Sequence, residues 1–173
     1  MYERQIIACT EKLLVNPRDP EARATMMWAA TNSWNGFYIA GVGDSGCPCH
    51  ALSHSISAYY DTPHGAGQAI VTPGWMKYVL AHEPERYQKK FAQFAKNVFG
   101  VDVPNEDLAA KLGITCLTEW LDRIGAPTSF KKGNIPTDKL DELVEHAYGM
   151  MLGNPSTDYN KEQIRGMFEC CLD

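Results

Sequence analysis

Three histidines that lie close together in the sequence are the residues best suited to chemistry: His50, His54 and His64. His50 and His54 are four residues apart, so on a helix they share one face. His64 follows a break at Pro63, where a new helix can begin, and a tight bend would bring His50 and His64 together. Neutral imidazoles ligate iron, zinc, copper or nickel, but two are too few for a complete site. A His-x-x-x-His pair also arises by coincidence on helix surfaces, and that alternative stays open.

The cysteines offer a second candidate for metal binding. Cys47, Cys49 and His50 form a Cys-x-Cys-His segment, and thiolate and imidazole both suit zinc. No second Cys/His pair stands at the spacing of a zinc finger. Nothing in the sequence signals secretion, and neither Cys47-x-Cys49 nor the adjacent Cys170 and Cys171 can form an unstrained disulfide. We therefore expect the cysteines to be reduced thiols.

Other features with possible chemistry have simpler explanations. The segment 41–46 copies the Gly-x-Gly-x-x-Gly pattern of dinucleotide sites, but it follows a helical pattern instead of a strand. We expect His82 to be an exposed residue at a helix boundary. We expect His146 to lie on a solvated helix face beside acidic residues. The core is expected to hold the four tryptophans: Trp28, Trp34, Trp75 and Trp120.

The elements that would position these residues are helices. Apolar residues recur every three to four positions along almost the whole chain, and no segment alternates as a strand would. Prolines, glycines and capping residues divide the pattern into seven or eight helices. The predicted ranges are about 6–14, 21–39, 50–60, 63–80, 84–99, 105–124, 137–152 and 160–171. The fold class is therefore predicted to be all-α, a multi-helix bundle in a single domain of residues 1–173.

The second helix is predicted to be central. Met26, Met27, Ala30, Trp34 and Phe37 make it apolar on more than one side. A helix that is apolar around its circumference is typically buried.

Composition excludes several classes of function. The chain has 173 residues, and 45% of them are hydrophobic and 21% charged, as in ordinary globular domains. The net charge is −5 with no basic stripe, which argues against nucleic-acid binding. No apolar run approaches the roughly 20 residues of a membrane span, and the N-terminus lacks a signal-peptide pattern. We expect a cytoplasmic protein with no membrane contact.

Several segments of the sequence match the pattern of a known family. They are 27–31 (MWAAT), 50–54 (HALSH), 59–65 (YYDTPHG), 69–73 (AIVTP), 72–76 (TPGWM) and 125–127 (GAP). These segments resemble the iron-containing (group III) alcohol dehydrogenases, and most closely their NAD(P)H-dependent butanol dehydrogenase branch. The likeness covers nearly the whole chain, including the spacing of fourteen residues from His50 to His64.

The resemblance implies a fold, a site and a reaction. The fold would be the C-terminal metal-binding domain of that family, a dehydroquinate synthase-like α-domain. His50 and His64 would be metal ligands, and His54 would lie beside the nicotinamide and the substrate and take part in proton relay. The metal would be Fe(II), or zinc as the alternative. The reaction would transfer hydride between NAD(P)H and a short-chain aldehyde or primary alcohol.

The sequence also departs from the family pattern. Family chains are about twice as long and begin with an α/β nucleotide-binding domain that matches nothing here. Their two other metal ligands, an Asp and a His on the first helix of the α-domain, have no counterpart, and the family gives Asp44 and Asp61 no such role. Cys47 stands where the family commonly has an aromatic residue, and Ser55 where Glu or Pro is usual.

Two hypotheses follow for the chain. As part of an alcohol dehydrogenase it would need an N-terminal nucleotide-binding half, or an equivalent chain, to bind NAD(P)H, and it would be inactive in isolation. Alternatively, it is a catalytically silent helical module for oligomerisation or partner binding. Under either hypothesis an uncovered apolar face would favour a homo-oligomer.

Overall fold

The computed structural model describes residues 2–37, 40, 47–153 and 157–173, and within them it has eight α-helices and no strand. The predicted all-α class is therefore confirmed. The helices are α1 (Tyr2–Val15), α2 (Pro20–Trp34), α3 (Cys49–Tyr60), α4 (His64–His82), α5 (Pro84–Phe99), α6 (Glu106–Arg123), α7 (Leu140–Met151) and α8 (Lys161–Glu169).

Capping side chains explain where several helices begin. The Asp19 carboxylate accepts a hydrogen bond from the Ala22 amide at 2.9 Å, and Asn105 caps α6 in the same way. Asn160 and Gln163 form a reciprocal capping box at the start of α8. At the start of α4, Pro63 occupies the cap position without a side-chain hydrogen bond.

The core lies around α4. This helix buries residues on all of its sides and packs against α3, α5, α6 and α8. Its Ile70 and Val79 are wholly inaccessible to solvent. Wholly buried partners come from α3, α7 and α8: Leu52, Ile56, Leu143, Ile164, Met167 and Phe168.

The prediction that the second helix is central and buried was wrong. It ends at Trp34, not at residue 39, and packs chiefly on α1. Only its small residues Ala22 and Ala29 are buried, so α1 covers one side of it and leaves its large apolar side chains uncovered. The resulting α2 apolar surface consists of Met27, Trp28, Trp34 and Phe37, whose exposed fractions are 71%, 63%, 80% and 76%.

The tryptophans therefore divide into two pairs. Trp75 and Trp120 are buried as predicted, whereas Trp28 and Trp34 are exposed, which contradicts their expected place in the core. Burial of an apolar side chain requires a covering element as well as an apolar sequence, and in the described residues the extensive packing of α2 is with α1. No helix in the described ranges combines the length and the apolar character needed to cross a bilayer.

Candidate functional site

The structure brings His50, His54 and His64 together at the junction of α3 and α4. The ring centroids of His50 and His64 are 5.3 Å apart, those of His50 and His54 5.8 Å, and those of His54 and His64 5.1 Å. All three side chains are exposed. We call these three residues the histidine cluster.

A short bend between the two helices creates the histidine cluster. Asp61 ends α3 in the left-handed region at φ 49°, and its amide donates to the Ser57 carbonyl. The Ser57 hydroxyl also donates to the Thr62 carbonyl at 2.8 Å, which holds the turn in place. Pro63 then directs the chain into α4, whose first residue is His64. The chain reverses in three residues, so the start of α4 returns to the face that carries His50 and His54.

The environment of the cluster favours the neutral form of the His50 imidazole. Partial desolvation of the ring lowers the pKa of His50, and the nearby imidazoles of His64 and His54 lower it further. A neutral imidazole keeps one nitrogen lone pair free to ligate a metal. The lowered pKa of His50 therefore favours the protonation state that a metal ligand requires.

The spacing of the rings fits a shared metal ion. Two imidazole nitrogens about 2.1 Å from one ion place their ring centroids roughly 5 Å apart. The separation of 5.3 Å between His50 and His64 agrees with this geometry. In the part of the chain that the structure describes, however, no group of three or more His, Cys, Asp or Glu side chains could hold a metal ion. A complete metal site would need further ligands from outside the described residues.

An aromatic side chain adjoins the cluster. The ring of Trp34, at the end of α2, lies 5.8 Å from that of His50 and is tilted by 43°. Sequence reasoning missed this contact because it assigned Trp34 to the core. Asn35 and Gly36 gave the available signal, since Asn35 is the cap residue after Trp34 and Gly36 follows it at φ 78°, where the helix cannot continue.

The cysteine candidate has a different arrangement. Cys47 is exposed and Cys49 is buried, and all six cysteines are free thiols, as predicted. A hydrogen bond from the Cys49 thiol lowers the pKa of Cys47 to about 7. With His50 the two form no metal-holding group within the described residues. The glycine segment 41–46, which includes Asp44, lies outside the described residues.

The two remaining histidines differ from each other. His82 is exposed at the end of α4, as predicted, and its ring stacks on Tyr78. His146 was predicted to lie on a solvated face, which is wrong: it is half-buried and its Nδ1 lies 3.0 Å from the Ser55 hydroxyl. That hydroxyl donates to the Ala51 carbonyl at 2.8 Å, so it accepts its second hydrogen bond from His146. Ser55 and His146 thus link α3 to α7.

Comparison with known proteins identifies the family to which the chain belongs. The sequence profile of the "Fe-containing alcohol dehydrogenase family, C-terminal" matches residues 4–171. The chain belongs to the iron-containing alcohol dehydrogenase family. Its curated relatives include NADH-dependent butanol dehydrogenase A of Clostridium acetobutylicum, 36% identical over 75% of this chain and 32% of the relative. Another is the probable NADH-dependent butanol dehydrogenase 1 of Bacillus subtilis, 30% identical over 98% of this chain and 43% of the relative.

The solved structures agree with this family assignment. The crystal structure of NADH-dependent butanol dehydrogenase A from Thermotoga maritima superposes with a TM-score of 0.87 at 36% identity. It is matched over 98% of this chain and 44% of its own length. The resemblance to the butanol dehydrogenase branch is thereby confirmed. The chain spans only about a third to two fifths of the length of these curated relatives.

Proposed function

We propose that this chain forms the metal- and substrate-binding domain, residues 1–173, of an alcohol dehydrogenase or aldehyde reductase. The reaction is hydride transfer between NAD(P)H and a short-chain aldehyde or primary alcohol. One observation carries the proposal: three imidazoles meet on an exposed surface, in a chain whose family is the iron-containing alcohol dehydrogenases.

His50 and His64 are the proposed metal ligands. They come from different helices, and their ring separation fits two ligands of one ion. The metal we propose is Fe(II), with zinc as the alternative, because imidazole suits both. When bound, such a metal polarises the alcohol or carbonyl oxygen of the substrate as a Lewis acid.

His54 has a separate proposed role beside the nicotinamide and the substrate. Its ring centroid lies 5.1 Å from that of His64, so a proton leaving or reaching the substrate oxygen would have an imidazole nearby. Imidazole is the side chain best matched to proton transfer near neutral pH. We therefore assign His54 to proton relay and to contact with the cofactor.

A nucleotide-binding half must complete this site. We propose that NAD(P)H binds mainly to that half, either N-terminal to the matched region in the complete enzyme or on an equivalent chain. The exposed histidines and the α2 apolar surface support a covering partner. We accordingly expect residues 1–173 alone to be inactive, and the complete enzyme to be a cytoplasmic homo-oligomer.

Metal content tests the assignment of the ligands. In the complex with a nucleotide-binding half, His50→Ala and His64→Ala are each expected to lose bound iron or zinc together with activity. His54→Ala should keep the metal and lower turnover by roughly 100-fold or more. Inductively coupled plasma mass spectrometry of the purified complex measures the metal.

His82→Ala is the control for these variants, because His82 lies at the opposite end of α4 from His64. Its metal content and turnover should match the wild type. Retention of full activity by both His50→Ala and His64→Ala would disprove the ligand assignment. Loss of metal from His54→Ala would make His54 a ligand instead.

A second candidate function, a catalytically silent partner-binding module, is favoured by the α2 apolar surface. One experiment distinguishes the two functions. Co-expression with the nucleotide-binding half of a butanol dehydrogenase should yield aldehyde-dependent oxidation of NAD(P)H if the chain is part of an enzyme. A stable complex that binds NAD(P)H but shows no turnover would favour the silent module.

A further inference from the structure

We infer that Gln68 and Ser53 form a positioning pair that sets His64 on α4 against His50 on α3. The inference rests on the proposed function, because it assigns these residues a role toward the metal that the histidines would share. Neither residue belongs to the cluster itself. Gln68 lies one helical turn after His64, and Ser53 lies between His50 and His54 in the sequence.

A hydrogen-bond chain runs behind the cluster. The Gln68 side-chain amide donates to the Ser53 hydroxyl at 2.8 Å and, at 3.4 Å, to the Cys49 carbonyl. The Ser53 hydroxyl donates in turn to the His50 carbonyl at 3.4 Å. Ser53 is wholly buried, so water cannot replace Gln68 as its donor. The chain thus ties α4 to the first turn of α3, the turn that carries His50.

The backbones of the two helices also approach each other at Ser53. A Cβ added to Gly67 would lie 3.1 Å from the Ser53 Cβ and 3.4 Å from the Ser53 carbonyl oxygen. The absence of a side chain at Gly67 therefore allows α3 and α4 to approach each other at Ser53. The hydrogen bond from Gln68 to Ser53 then fixes the orientation of the two helices. Since Gly67 is three residues from His64, a shift at this crossing moves the His64 ring directly.

The fold does not depend on this pair. Leu52 and Ile56 of α3 pack in the same core as Ile70 and Val71 of α4, so the helices stay together when one hydrogen bond is removed. The separation of the two imidazoles depends on this hydrogen bond more strongly than the fold does, because ligands from two helices must reach one ion within a few tenths of an ångström. Residues that orient metal ligands typically change metal affinity roughly 10–100-fold when they are replaced.

Zinc binding and ring proximity test the inference on the chain of 173 residues. Gln68→Met removes the donor while keeping the side-chain length, and Ser53→Ala removes the acceptor. Each is expected to weaken the affinity for Zn²⁺, measured by isothermal titration calorimetry, by roughly 10-fold or more. The double variant should lose less than the sum of the two single losses, because both changes break the same Gln68–Ser53 hydrogen bond. Without metal, nuclear Overhauser contacts between the His50 and His64 rings should weaken in Gln68→Met.

Ser55→Ala is the matched control, since Ser55 lies on the same helix but bonds to His146 on α7. It should lower thermal stability without changing zinc affinity or the ring contacts. Wild-type zinc affinity and ring contacts in Gln68→Met would overturn the inference while leaving the proposed function intact. Unchanged zinc affinity in His50→Ala and His64→Ala would instead refute the proposed ligands, and the ring contacts would still decide whether Gln68 positions the helices.

Discussion

At the scale of single residues, identical side chains acquire different chemistry from their surroundings. Three of the histidines meet in an exposed cluster, whereas His146 is held by Ser55 and His82 stacks on Tyr78. The cysteines differ in the same way. Burial raises the pKa of Cys170, while the neighbouring thiol of Cys49 lowers the pKa of Cys47.

The acidity of Cys47 leads to a prediction about its reactivity. Its pKa is lowered from 9.0 to about 7, so the nucleophilic thiolate forms above roughly that pH. The rate of alkylation by iodoacetamide should rise with pH and reach half its maximum near pH 7. Peptide mass spectrometry after timed alkylation measures this rate separately for Cys47 and for Cys170, whose rate should still be rising at pH 9.

Two substitutions at Cys49 test the cause. Cys49→Ala removes the thiol donor, so the midpoint for Cys47 should move up towards 9, the ordinary value. Cys49→Ser keeps a donor and should leave the midpoint near 7. A midpoint that is the same in wild type and Cys49→Ala would show that another group acidifies Cys47.

At the scale of the elements, close helix packing depends on small residues that hydrophobic periodicity does not reveal. Helices α5 and α6 pack side by side, and Gly113 of α6 faces Ala95 of α5. A Cβ at Gly113 would stand only 2.6 Å from the Ala95 Cβ and 3.1 Å from its Cα. The neighbouring atoms belong to a short side chain and to backbone, which cannot rotate away.

We predict that Gly113→Ala destabilises the chain by about 1–3 kcal/mol, because the two helices must move apart. The midpoint of urea unfolding, followed by circular dichroism, measures the loss. Gly149→Ala in α7 is the control, since nothing lies within 4 Å of its added Cβ. That change should be neutral or stabilise the helix by up to about 1 kcal/mol. Equal effects at both positions would contradict the close packing.

At the scale of the whole molecule, the apolar surface and the candidate site are neighbours. Trp34 belongs to the α2 apolar surface and also contacts His50, so a partner that covers α2 would border the cluster as well. Exposed apolar patches of this kind mark interaction surfaces. The nucleotide-binding half that would complete the site and a second copy of the chain would thus contact adjoining parts of the molecule.

We predict that the separate chain self-associates through this surface. Replacing Trp28 and Trp34 by Gln should shift the apparent mass in analytical ultracentrifugation towards the monomer mass of 19.3 kDa. Leu108→Gln is the control, because Leu108 is also an exposed apolar residue but lies on α6. An oligomer that persists in the tryptophan variant would place the contact elsewhere.

Local information in the sequence determined the helices and much of the cluster. Caps such as Asp19 and Asn105, together with three-to-four-residue periodicity, act within a few residues, so the presence of the helices and the starts of the capped ones follow from the sequence directly. The convergence of His50 and His64 was predictable for the same reason. They flank one short bend, and its proline marks where the chain turns.

The tertiary structure decided what depends on distant segments. The exposure of α2 follows from which helices cover it, and His146 forms its hydrogen bond with Ser55, 91 residues away. Likewise, the link from Gln68 to Ser53 exists only once α4 has packed on α3. Hydrophobic periodicity indicates that a helix face is apolar. That face is buried, however, only when a particular neighbouring element covers it. That neighbour is chosen by packing between helices far apart in the chain.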